Sequence, residues 1–64
     1  MKTLRETIRE YGDTQTELAR VLGVSTSTMS WKLNGKAEFT QSEIKAIADR
    51  YSLTAKEVKE MFFE

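Results

Sequence analysis

Sixty-four residues with neither Cys nor His are expected to form one domain, residues 1–64, and they exclude disulfide staples and the usual zinc ligands. Ten Lys and Arg balance ten Asp and Glu, so net charge alone argues neither for nor against a nucleic-acid partner. No apolar run approaches the ~20 residues of a membrane span, and no charged-then-apolar leader is present, so a cytoplasmic protein held together by close helix packing is expected.

The first predicted helix starts at Thr3, with Glu6 three residues later. In that spacing the Thr hydroxyl accepts from the third helical N–H, while the Glu carboxylate reaches back to the Thr N–H. Leu4, Ile8 and Tyr11 then form an apolar stripe that ends at Gly12. The second helix repeats the device at Thr14/Glu17, carries Leu18, Ala19 and Leu22, and closes at Gly23. A third helix is expected between Gly23 and Gly35, capped by Ser25, with Met29 and Leu33 four residues apart. Here the pattern has a rival, because Met29, Trp31 and Leu33 also alternate and Asn34-Gly35 is a hairpin signal. A lone two-stranded ribbon is marginal in a helical chain, so the helix is preferred. Thr40/Glu43 opens a fourth helix with Ile44, Ile47, Ala48 and Tyr51, and Thr54/Glu57 opens a fifth with Val58, Met61 and Phe62.

Charge is unevenly placed along this series. Residues 1–36 hold six bases (Lys2, Arg5, Arg9, Arg20, Lys32, Lys36) against four acids, and residues 37–64 hold four bases against six acids. A polyanion would prefer the first half.

Helices two and three together carry the functional signal. Two helices that cross closely need a small residue at the crossing, and Ala19 supplies it. The turn between them needs a residue tolerant of positive φ, and Gly23 stands four positions later. Val24 and Met29 are the apolar residues after the turn. With Met29 and Leu33 inward, Thr26, Ser27, Ser30 and Trp31 occupy the outer face, although a lone Trp is also a natural core residue.

In these residues the chain resembles the lambda-type phage repressor and Cro family of helix-turn-helix regulators. The likeness runs through Thr14-Gln15-x-Glu17-Leu18-Ala19, Leu22-Gly23-Val24-Ser25, Thr28-Met29-Ser30 and Leu33-Asn34-Gly35-Lys36. Phe39-Thr40-x-x-Glu43-Ile44-x-x-Ile47-Ala48 is similar to the fourth helix of small regulators from temperate phages of Gram-positive bacteria. The resemblance implies an all-α, compact five-helix bundle of the lambda repressor-like DNA-binding type. It also implies a sequence-specific transcriptional repressor that binds a pseudo-palindromic operator in double-stranded DNA, with no cofactor, metal or small-molecule ligand.

The resemblance assigns roles by position. Thr26 and Ser27, with Ser30 and Trp31 one turn on, would read base edges in the major groove. Gln15, Thr28, Lys32, Asn34 and Lys36 would contact phosphates, Gln15 aided by the positive end of its helix. The chain departs from the family at the reading positions, where Gln or Arg is common. Thr and Ser bond any base, so specificity would draw on DNA shape as well. Phe63 lies about 100° around the last helix from Phe62. With Met61 it marks an expected contact for a weak homodimer.

Two other classes compete. A protein-interaction module on the same fold, such as an anti-repressor that binds another regulator, fits the zero net charge and an apolar Trp31 on the outer face. An enzyme is disfavoured, because there is no His, no Cys and no glycine-rich phosphate loop.

Overall fold

The computed structural model describes residues 2–63. Five helices follow in chain order: α1 Leu4–Glu10, α2 Gln15–Leu22, α3 Thr26–Leu33, α4 Gln41–Tyr51 and α5 Ala55–Phe62, with no strand among the described residues. The hairpin rival is thereby settled in favour of the helix. Its reason is visible at the end of α3, where the Lys36 N–H donates to the Trp31 carbonyl at 2.8 Å and the Gly35 N–H to the Lys32 carbonyl at 3.2 Å. Asn34-Gly35 thus closes a helix through a Schellman turn instead of reversing a strand.

Thr3, Thr14, Ser25, Thr40 and Thr54 each cap a helix by accepting from the N–H three residues on. The reciprocal Glu contact forms at Thr3, Thr40 and Thr54. At Thr14 it does not. The Thr14 N–H donates to the Asp13 carboxylate at 3.0 Å, and Glu17 lies 3.6 Å from Arg20 instead. A neighbouring Asp has taken the donor that the spacing assigned to Glu17.

The core is Leu4, Ile8, Leu18, Ala19, Met29, Ile47 and Tyr51, with Leu22, Val24, Leu33, Phe39, Leu53 and Phe62 packed around it. Helices α1 to α4 each send at least one buried residue into the centre, and α5 covers it with the half-buried Phe62. Thr7 is the buried polar residue, and its hydroxyl donates to the Thr3 carbonyl at 3.1 Å, which relieves the cost of burying it. Tyr11, expected on the buried stripe of α1, is largely exposed. Its ring stands tilted against that of Tyr51, with centroids 5.0 Å apart, and its hydroxyl donates to the Tyr51 carbonyl at 2.7 Å. The radius of gyration, 10.7 Å, is that of a fully packed chain of this length. No helix of the described residues is long and apolar enough to cross a membrane.

Candidate nucleic-acid interface

The turn between α2 and α3 is three residues, Gly23-Val24-Ser25. Gly23 sits at φ 73°, and the Val24 N–H returns to the Ala19 carbonyl at 3.0 Å. A side chain at that φ would be strained, so glycine lets the chain turn sharply enough to lay α3 across α2. Ala19 is buried beneath the turn, where its small side chain permits the approach.

Burial of Met29 then fixes the rotation of α3. Met29 is fully buried and Leu33 half-buried, which leaves Thr26, Ser27 and Trp31 exposed and Ser30 half-buried. Trp31 is 54% exposed, so its two readings resolve to the outer face. Thr28 is half-buried, and its Oγ1 accepts from the Ser25 hydroxyl at 2.9 Å as part of the cap.

Gln15, the first residue of α2, borders a shallow cleft of about 240 Å³ lined also by Arg5, Arg9, Asp13, Thr14 and Leu33. Two of these bases were given no role by the sequence. Arg5 and Arg9 are exposed residues one turn apart on α1, and their i,i+4 spacing was the available signal. The Arg5 guanidinium donates to Asn34 Oδ1 at 2.6 Å and so ties α1 to the end of α3. Lys36 is exposed just beyond. Gln15, Arg9, Arg5, Asn34 and Lys36 therefore flank the polar face of α3 with hydrogen-bond donors and positive charge.

Asp13, the acid in this cleft, is neutralised from behind. Arg50 Nε donates to its Oδ2 at 2.7 Å and the Tyr51 hydroxyl at 2.6 Å, and these bonds hold its pKa down at about 2. Burial and the same Asp13 contact push the Tyr51 hydroxyl up to about 12. The cluster fastens the α1–α2 loop to α4.

Lys32 stands apart from these residues. Its side chain is only 9% exposed, and its ammonium lies 2.7 Å from Glu43 Oε1 and 3.0 Å from the Glu38 carbonyl. The fold buries this ammonium against Glu43 and Glu38, whereas the phosphate contact expected of Lys32 needs it on the exposed side of α3. At the far end of the chain, Phe63 is 66% exposed and Met61 half-buried. Both line a groove of about 670 Å³ between α1, the α3–α4 loop and α5.

A family model described as "Protein of unknown function (DUF739)" matches residues 1–64. No curated protein and no solved structure matches the chain.

Proposed function

The chain belongs to the DUF739 family, and we propose that it is a sequence-specific DNA-binding transcriptional regulator of the Cro-like phage repressor kind. One observation carries this reading: α3 follows α2 across a glycine turn and turns a polar face of Thr26, Ser27 and Trp31 to solvent, beside Gln15, Arg9 and Lys36. A helix so presented suits a B-DNA major groove, about 12 Å wide. Thr26 and Ser27 reach base edges with hydroxyls that donate or accept. Ser30 adds a third hydroxyl, and the Trp31 indole covers a thymine methyl or donates its N–H.

The positioning contacts come from the flanks. Gln15 bonds a phosphate at the positive end of α2, with Arg9 and Arg5 close by. Thr28, Asn34 and Lys36 hold the backbone at either end of α3. Because hydroxyls discriminate weakly among bases, the deformability of the operator supplies part of the specificity. Two copies act together on a pseudo-palindromic site, meeting weakly through Phe63 and Met61.

Titration of duplex DNA at several salt concentrations tests the proposal. Each phosphate contact releases counterions, so log affinity falls with log salt at a slope of about 0.9 per contact. Affinity indifferent to salt would end this reading. The exposed Trp31 favours one rival, a module that docks this apolar ring on another regulator. In that case the protein partner, not DNA, would shift the Trp31 fluorescence.

A further inference from the structure

We infer that Lys32 is a positioning residue for the DNA-facing helix, acting as a strut between α3 and the cap of α4; the inference rests on the DNA-binding reading for its functional consequence. The geometry is that of a nearly closed ion pair. Lys32 and Glu43 side chains are 9% and 12% exposed, and the N–O distance is 2.7 Å. Glu43 Oε1 accepts from the Thr40 N–H as well, at 2.8 Å, while the Lys32 ammonium also bonds the Glu38 carbonyl at 3.0 Å. Burial of Glu43 opposes its ionised form, yet the Lys32 ammonium and the Thr40 N–H hold its pKa below the ordinary value.

The strut continues into the apolar core. The same ammonium stands 5.6 Å from the centre of the Phe39 ring, and Phe39 meets Phe62 edge-on at 5.3 Å. One side chain of α3 thus binds the loop at Glu38, the first turn of α4 at Glu43 and, through Phe39, the end of α5. Lys32 immediately follows Trp31 and lies two residues before Asn34. Its anchorage sets how the last turn of α3 and the following loop stand relative to the rest of the domain. A positive residue in the recognition helix acts here by holding geometry and not by attracting a phosphate.

Two variants of opposite charge separate these roles. Lys32→Met removes a cation and Glu43→Gln removes an anion, and the Gln is close enough in shape to keep the fold should the Met variant fail. Each is titrated against a duplex selected by the wild-type protein from a random pool, over a range of salt. A strut predicts that both weaken binding by about tenfold, the scale of a lost charge-assisted bond, with the salt slope of the wild type. A phosphate contact predicts instead that Lys32→Met reduces the slope by about 0.9 while Glu43→Gln binds equally or more tightly; that result overturns the inference. Amide hydrogen exchange on the free protein reads the strut without DNA. The Thr40 amide, which donates to the Glu43 carboxylate, and the Lys36 amide, which closes the end of α3 on the Trp31 carbonyl, should both exchange about tenfold faster in both variants, relative to the Tyr11 amide at the end of α1. Unchanged local exchange refutes the strut. A wild type that selects no duplex refutes the DNA reading instead.

Discussion

Asp13→Asn isolates the charge that locks the α1–α2 loop to α4. The carboxylate accepts from Arg50 at 2.7 Å and from Tyr51 at 2.6 Å, and its pKa falls from 3.8 to about 2. Nearly two units at ~1.4 kcal/mol each give an upper bound of about 2.5 kcal/mol for the folded state's preference for the ionised form. Arg50 is a third exposed, and solvent screens the pair, so about 1–2 kcal/mol is the working figure. The sign follows from the depressed pKa. The contribution is complete above the unfolded value of about 3.9 and is lost as pH falls from there towards 2. Urea unfolding at pH 7 should therefore show Asp13→Asn destabilised by about 1–2 kcal/mol, with the gap to wild type nearly closed at pH 2. Glu6 and Glu57, also held below their ordinary values by Thr N–H groups, steepen the acid limb in both proteins and cancel in the comparison. Equal midpoints at pH 7, or a gap that persists at pH 2, would show that the Asp13 charge does not stabilise the loop.

Three further outcomes follow from packing and backbone geometry. Met29→Ala empties a fully buried site and should cost about 2–5 kcal/mol. That is a large share of what a 64-residue domain holds, so its helical circular dichroism should melt far below wild type. Ser52 sits at φ 52° after α4, so Ser52→Gly should relieve roughly 1 kcal/mol and raise the urea midpoint; a lowered midpoint counts against strain there. Phe63→Ser should abolish a weak self-association that wild type shows in sedimentation at high concentration, and two monomeric variants would remove the dimer from the account.

The helical frame was legible because its signals are local. Thr-x-x-Glu spacing placed four helices, Ser25 with Met29 and Leu33 placed α3, and Ala19 with Gly23 placed the turn. What escaped depends on residues far apart in the chain. Arg5 bonds Asn34 across 29 positions and Lys32 meets Glu43 across 11, and neither pairing leaves a trace in periodicity. Lys32 shows the consequence most clearly: on a helix wheel it is a base beside the outer face, whereas the fold turns it under Phe39. Glu17 failed for the opposite reason, since a second capping acid, Asp13, stood one residue before the Thr. Tyr11 kept the stripe's period yet lies too close to the end of α1 to be covered.

If the exposed face of α3 and its flanks receive duplex DNA, binding must leave its mark on those residues before any others. Titrating a selected duplex into isotopically labelled protein and following the amide resonances tests it residue by residue. Shifts should gather at Gln15, at residues 26–31 and at residues 34–36, leaving the middle of α4 unmoved. Shifts confined to the groove around Phe63, or none at all at saturating DNA, would contradict it.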